Sequence, residues 1–414
     1  MIKNKISLIN PFDFRTLFIL VFVCFFNELK AQDDRFQLPL SLQKSYFELN
    51  IGSIDYNFSE SQFENLPDYD FQSVEVPHTA VRLVLYGYRF NKNISAQISY
   101  MRPVYWVNYK YANSNSVQNT SVWMNVGGLT VKAQLPIAKK FAVFGEFGLG
   151  VISRLGGENY ITGEVIVKKA NYSSTLFGGG FKYNLTPKID FLLSSVYSPG
   201  NKQFNQPAIS FLSTGFSYNL NKLTDQRVEE KRNEAQSVGM MHPKHLFQVG
   251  YTSLVLGYAI NNSFAKIPIF WGGDAEARQG ISFDYRQNIY HTAKYFSIDW
   301  GVGASFFKSN IKKENFYALA AYPVFRFNFL HSKPFDAYMY YSIAGPSFIS
   351  KTVIDDVDTG ENFTFQDTMG LGFYMGEKRN ANLEFKIGHY SNGNIFRENP
   401  GVKIPFSINL GYAF

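Results

Sequence analysis

The chain has 414 residues, of which 17% are aromatic and only 18% charged, and its formal net charge is +7. No Lys/Arg-rich block accompanies this charge, so we expect no nucleic-acid partner, although the charge suits an anionic membrane surface. Beyond Ala31 no segment approaches the roughly 18 apolar residues of a transmembrane helix, which excludes a helical membrane protein and favours many amphipathic strands.

The first 31 residues have the parts of a secretory signal peptide. Positive residues precede an apolar stretch, 17–26, that is too short to span a bilayer as a helix, and Ala31 is suited to cleavage. The one cysteine, Cys24, lies inside this segment, and no small residues precede it as a lipoprotein signal would require. The mature chain is therefore predicted to have no disulfide and no thiolate metal site, and we expect no metal and no cofactor.

Downstream of Leu38, apolar and polar residues alternate as they do in strands with one buried face. Eight such segments form a first set: 45–55, 79–90, 94–104, 120–135, 141–154, 174–184, 189–198 and 210–220. Eight more form a second set: 246–259, 279–290, 295–308, 316–331, 336–350, 363–376, 381–393 and 404–414. In both sets short turns alternate with long polar loops, which is typical of outer-membrane barrels with periplasmic turns.

The last strand indicates which face meets lipid. One parity holds Ile404, Phe406, Ile408, Leu410, Tyr412 and Phe414, and the other holds Pro405, Ser407, Asn409, Gly411 and Ala413. Successive side chains of a strand point to opposite faces, so we expect the first group to face lipid and the second the lumen. The final Phe414 resembles the recognition signal that the barrel-assembly machinery reads for insertion.

A charged stretch, 221–244, separates the two sets, and we interpret it as a periplasmic linker. Each set has an even number of strands, so both of its ends return to the periplasm. The predicted fold class is all-β, with two tandem eight-stranded antiparallel transmembrane β-barrels at 32–220 and 245–414 in a Gram-negative outer membrane. One sixteen-stranded barrel with a long periplasmic connection is the alternative.

The strand at 381–393 carries two polar residues where its alternation predicts apolar ones. His389 and Ser391 continue the face of Leu383, Phe385 and Ile387. Two residues along a strand lie roughly 6.6 Å apart, so suitable rotamers bring the imidazole to the hydroxyl, as nucleophilic acyl transfer requires. Alternatively the pair marks only the membrane interface, where polar side chains cost about 0–1 kcal/mol.

The residues around this pair resemble the outer-membrane lipid A deacylase family, which comprises lipid A 3-O-deacylases and acyloxyacyl hydrolases. The match consists of His389-Tyr390-Ser391-Asn392, then Asn399-Pro400-Gly401, then the strand 404–414. The resemblance implies an eight-stranded barrel that removes an ester-linked acyl chain from lipid A at a site facing the outer leaflet. The N-terminal half carries no such motif and resembles a generic eight-stranded outer-membrane barrel.

Carried over from the family, Ser391 is the nucleophile and His389 the general base. The side-chain amide of Asn392 and the backbone N–H of Asn394 would stabilise the oxyanion.

In the family an acidic residue orients the histidine. Counting along the motif without gaps, the corresponding position here is Lys403, and a lysine cannot fill that role. Glu398 in the preceding loop is the candidate substitute, and without it the site would be a dyad or inactive. Arg397 and Lys403 would contact the phosphates of lipid A.

The corresponding strand of the first set contains Val196-Tyr197-Ser198-Pro199-Gly200-Asn201, which agrees at four of six positions with 389–394. We hypothesise that the first barrel is a diverged, non-catalytic relative of the second. Chance agreement among turn-forming residues is the alternative.

These observations predict a serine esterase acting on lipid A, with lipopolysaccharide and outer-membrane lipids as its partners. One alternative is a catalytically inactive barrel with a structural or lipopolysaccharide-binding role. The other is a porin-like channel, which needs a wide sixteen-stranded lumen.

Overall fold

A computed structural model describes residues 35–59, 62–63, 66, 68–158, 163–258, 272–393 and 398–414. The predicted signal peptide lies outside these residues. The chain divides into two compact units, 40–222 and, among the described residues, 35–39 with 223–393 and 398–414. The strands of the first unit are β1 (Ser45–Asn57), β2 (Asp70–Glu75), β3 (Thr79–Arg89), β4 (Ile94–Pro103), β5 (Val107–Ala112), β6 (Val117–Val122), β7 (Met124–Pro136), β8 (Phe141–Arg154), β9 (Gly157–Glu158), β10 (Val165–Val167), β11 (Ala170–Asn184), β12 (Ile189–Ser198) and β13 (Ala208–Asn219).

The strands of the second unit are β14 (His245–Ser253), β15 (Ala275–His291), β16 (Phe296–Ser309), β17 (Asn315–His331), β18 (Phe335–Ile349), β19 (Val353–Ile354), β20 (Val357–Asp358), β21 (Phe363–Met375), β22 (Ala381–Ser391) and β23 (Val402–Ala413). β14 is shorter than predicted and is followed by a 3-10 turn at Leu254–Leu256.

Each unit is a closed antiparallel barrel of eight long strands. The first follows the order β1-β13-β12-β11-β8-β7-β4-β3, and the second follows β14-β15-β16-β17-β18-β21-β22-β23. The prediction of two tandem eight-stranded barrels is confirmed, and the single sixteen-stranded barrel is wrong. The long loops of the first barrel add a three-stranded sheet of β2, β5 and β6.

The outward faces of both barrels are apolar. Leu212, Phe216 and Tyr218 on β13 are each about half exposed, as are Leu371 on β21 and Leu410 on β23. Such a face is stable only against hydrocarbon, which is the pattern of a transmembrane barrel. Within the described ranges, no helix is long and apolar enough to cross a membrane.

Buried charged and polar side chains fill the lumen of the second barrel. Arg286 on β15 forms two hydrogen bonds with Glu384 on β22, at 2.6 and 3.1 Å. The hydroxyl of Tyr338 donates to the same carboxylate at 2.7 Å. Lys386 pairs with Asp284 at 3.0 Å. An eight-stranded barrel is just wide enough for side chains to fill it, so this interior is packed rather than open.

The stretch between the barrels contains a helix that the sequence interpretation did not include. Helix α1 (Asp225–Val238) begins where the hydroxyl of Thr224 accepts from the backbone N–H of Arg227, and it ends at Gly239 with φ +69°. Val228 is its buried residue. Capping at both ends stabilises a helix whose surface is otherwise polar.

A bulge in β23 changes the facing of its first residues. Lys386 pairs with Ser407 but Gly388 pairs with Ile404, so two steps along β22 match three along β23. One extra residue at Pro405–Phe406 reverses the face of everything before it. The prediction that Ile404 faces lipid is therefore wrong, because Ile404 is 7% exposed and packs in an inward apolar cluster.

The matching segment in the first barrel faces the other way. On β12, Val196 and Ser198 are buried inward at 2% and 1% exposure, and Tyr197 is outward. On β22 it is Tyr390 that is buried inward, at 2% exposure. A one-residue difference in facing exchanges every side chain between lipid and lumen. The serine of this segment therefore lies on the lumen side, and the hypothesis that the first barrel is a diverged, non-catalytic relative of the second stays a prediction.

Replacing Glu384 with Gln should destabilise the second barrel by about 3–5 kcal/mol, because Arg286 then remains buried without its counter-ion. Urea unfolding of the protein in lipid vesicles measures this loss. The matched control is Glu230→Gln on helix α1, where the pair with Arg227 is exposed and screened by solvent, so its loss should change the stability little. Equal effects of the two substitutions would contradict the assignment of Glu384 to a closed lumen.

Candidate active site

The outer end of β22 is held by Tyr390, whose side chain turns inward. It packs with Phe307, Val402 and Ile404 in an apolar cluster that closes this end of the lumen. Its hydroxyl accepts a hydrogen bond from Gln366 at 2.9 Å. Because neighbouring residues of a strand face opposite ways, the burial of Tyr390 places both predicted catalytic side chains on the outward face.

His389 lies directly opposite Asp367 of the neighbouring strand β21. His389 Nε2 and Asp367 Oδ2 are 3.8 Å apart. The other oxygen of Asp367 accepts the backbone N–H of Ala344 at 2.6 Å. His389 is 6% exposed, so the barrel wall encloses most of the imidazole, and its contact with lipid stays a prediction.

Ser391 is held by hydrogen bonds from the loop that follows it. The side-chain amide of Asn399 donates to Ser391 Oγ at 3.0 Å, and the backbone N–H of Gly393 donates at 3.2 Å. Oδ1 of Asn399 accepts the backbone N–H of Asn392 at 2.7 Å, which sets the orientation of the amide. The hydroxyl lies 3.2 Å from the same Oδ1, a position in which it can donate its own proton.

The two remaining described loop residues of the predicted site, Asn392 and Glu398, bind each other. The Asn392 side-chain amide donates to the backbone carbonyl of Glu398, and Asn392 is only 1% exposed. Gly360 packs on this bond with φ +97°, and a Cβ there would lie 2.3 Å from the Glu398 carbonyl. In this arrangement Asn392 closes the loop, and its role at an oxyanion remains a prediction.

Lys403 occupies the position opposite His389 on β23. Its ammonium pairs with Glu276 of β15 at 2.8 Å, and Glu276 also accepts from Asn310 at 2.9 Å. The positive charge of Lys403 is therefore balanced by Glu276, which lies on the side away from His389. The predicted residues Asn394 and Arg397 lie outside the described part of the chain.

The structure brings two residues to this site that sequence reasoning did not assign. Asp367 shares a strand face with Phe365 and Met369, so a charged residue at an apolar position was the available signal. Asn399 was part of the quoted motif, but its contact with Ser391 depends on how the loop folds back. The carboxylate beside His389 is that of Asp367, whereas Glu398 accepts a hydrogen bond from Asn392 through its backbone carbonyl.

Two closed eight-stranded barrels with apolar outward faces define a tandem outer-membrane β-barrel protein. Residues 271–413 match the family model described as lipid A 3-O-deacylase (PagL). Residues 57–224 match the model described as OmpA-like transmembrane domain. The resemblance inferred from the motif is confirmed for the C-terminal barrel. Both families place the chain in the Gram-negative outer membrane.

Solved structures resemble single barrels of this chain. The outer membrane enzyme PagL is 15% identical over 40% of this chain and 97% of its own, with a TM-score of 0.30. Neisserial surface protein A (NspA) is 14% identical over 42% and 96%, with a TM-score of 0.27. OprG from Pseudomonas aeruginosa is 11% identical over 43% and 98%, with a TM-score of 0.30. No curated protein matches the chain.

Replacing Asn399 with Ala should speed the amide hydrogen exchange of Asn392 about five-fold, because one hydrogen bond contributes about 1 kcal/mol. Hydrogen–deuterium exchange of the peptide spanning 388–393, followed by mass spectrometry, measures this. The matched control is Asn93→Ala, which removes a bond to the Gln134 carbonyl in the first barrel and should leave this peptide's exchange unchanged. Unchanged exchange in Asn399→Ala would show that the amide does not hold this loop.

Proposed function

We propose that the C-terminal barrel is a serine esterase that hydrolyses an ester-linked acyl chain of lipid A. The observation that carries the proposal is the match of 271–413 to the lipid A 3-O-deacylase family, with His389 and Ser391 on one outward strand face. That family's description names the 3-O-linked chain, which is therefore the expected substrate bond. The substrate enters laterally from the outer leaflet, so no deep pocket is required.

The reaction begins when Ser391 Oγ attacks the ester carbonyl and His389 accepts the hydroxyl proton. The tetrahedral intermediate collapses as the ester C–O bond breaks, and the imidazolium returns its proton to the departing sugar oxygen. Water then attacks the acyl-enzyme and gives a proton to His389. Breakage of the Ser391 ester releases the fatty acid, and the proton returns to Oγ.

The N–H groups around Ser391 suit the charge that develops in this reaction. Gly393 N–H and the Asn399 amide both point at Oγ, the atom from which the tetrahedral intermediate is built. A small shift of either donor towards the bound carbonyl oxygen would stabilise its negative charge. A single donor of this kind contributes about 3–4 kcal/mol in related acyl transfers.

Lipid A from cells that express the protein should lack one acyl chain, and Ser391→Ala should lower that conversion by about 10³-fold or more because the nucleophile is gone. Mass spectrometry of extracted lipid A measures both, and the missing mass identifies the chain.

The matched control for this experiment is Ser198→Ala, which changes the serine of the similar segment in the first barrel. Its side chain is buried inward, so conversion should equal that of the wild type. Fully acylated lipid A with the wild-type protein present in the outer membrane would contradict the proposal. That result would favour the inactive lipopolysaccharide-binding barrel.

A further inference from the structure

Four charged or ionisable side chains lie in lateral register across neighbouring strands of the second barrel. Asp367 on β21 pairs with His389 on β22, His389 pairs with Lys403 on β23, and Lys403 pairs with Glu276 on β15. The first three positions lie on the outward sheet face, where apolar residues are the rule. The row contains two acids at its ends and two bases between them.

The contacts divide this row into two pairs. Lys403 Nζ is 2.8 Å from Glu276, so its charge is balanced away from the imidazole. On the other side of the imidazole, Asp367 Oδ2 is 3.8 Å from His389 Nε2. That distance exceeds a hydrogen bond, but catalytic hydrogen bonds are often long in substrate-free enzymes and shorten when the substrate binds.

The backbone of β18 is distorted where it holds Asp367. The register of β18 against β21 shifts between Ser342 and Gly345, and Ala344 within this bulge has φ +50°. Its N–H donates to Asp367 Oδ1 at 2.6 Å. A non-glycine residue with positive φ is costly, and such residues concentrate at functional sites. The bulge therefore fixes Oδ1 of Asp367, and Oδ2 lies 3.8 Å from the imidazole Nε2.

We propose that Asp367 is the positioning acid of this site, supplied by β21 in place of the family's acid on the β23 side. The inference rests on the Ser391–His389 pair of the proposed function. When the substrate binds, Asp367 Oδ2 accepts a hydrogen bond from the Nε2–H of His389, so that Nδ1 keeps the lone pair that takes the Ser391 proton. The carboxylate also stabilises the imidazolium that follows, without itself becoming protonated.

The test uses the full chain in detergent micelles with an alkyl fluorophosphonate, which labels an activated serine whatever the natural substrate is. Ser391 Oγ forms a bond to phosphorus, fluoride leaves, and His389 takes the proton. Asp367→Asn should slow labelling and lipid A hydrolysis by on the order of 10³- to 10⁴-fold, with kcat falling and KM nearly unchanged. Asp367→Glu should restore part of both rates.

The matched control is Asp356→Asn, which removes an exposed loop carboxylate paired with Lys312 and should change neither rate. Labelling of Asp367→Asn at the wild-type rate, with Ser391→Ala unlabelled, would overturn the proposal. Equal losses in Asp367→Asn and Asp367→Glu with lowered thermal stability would also overturn it, because the residue would then be structural.

The two proposals fail in different ways. If labelling depends on Asp367 but lipid A stays intact, the positioning role stands and the assigned substrate is wrong. If lipid A loses its chain at an undiminished rate in Asp367→Asn, the esterase stands and the positioning role is wrong.

Discussion

The inward burial of Tyr390 is the contact on which the candidate site depends. Its ring lies in the apolar cluster at the outer end of the second barrel, and its hydroxyl is bound by Gln366. A tyrosine committed to the interior forces the residues on either side of it to the opposite face. His389 and Ser391 are therefore outward because a large aromatic residue fills the lumen between them. A site on a strand, supported from behind by a packed core, is held more firmly than one on a loop.

The residues that pair with His389 on its two neighbouring strands differ in charge and in their own contacts. Lys403 is its partner on one side, but Glu276 balances that charge at 2.8 Å. Asp367 is its partner on the other side, held by the distorted backbone at Ala344. The lysine that looked incompatible with catalysis is thus neutralised within the protein. The proposed chemistry allows the acid and the base to lie on different strands, because triads are defined by geometry rather than chain order.

Alternation alone located most of the fold: β8 and β12 have the predicted ends, and both barrels close with eight strands. The bulge at Pro405–Phe406 was not predictable from the sequence. Apolar and polar residues continue to alternate through it, although β23 has one residue more there than the paired segment of β22. Asp367 was missed because strand register, not sequence distance, brings it to His389. Helix α1 was not predicted because its surface is polar and shows no apolar periodicity, although Thr224 and Gly239 are recognisable helix caps.

One ion pair inside the second barrel constrains the order in which that barrel acquires its structure. Arg286 and Glu384 are 98 residues apart, and the short path between their strands runs through the pairing of β14 with β23, the first and last strands of this barrel. Until those two strands pair, neither charge has its partner, and an unpaired charge in apolar surroundings is strongly unfavourable. Closure and charge neutralisation are therefore one cooperative event for this barrel.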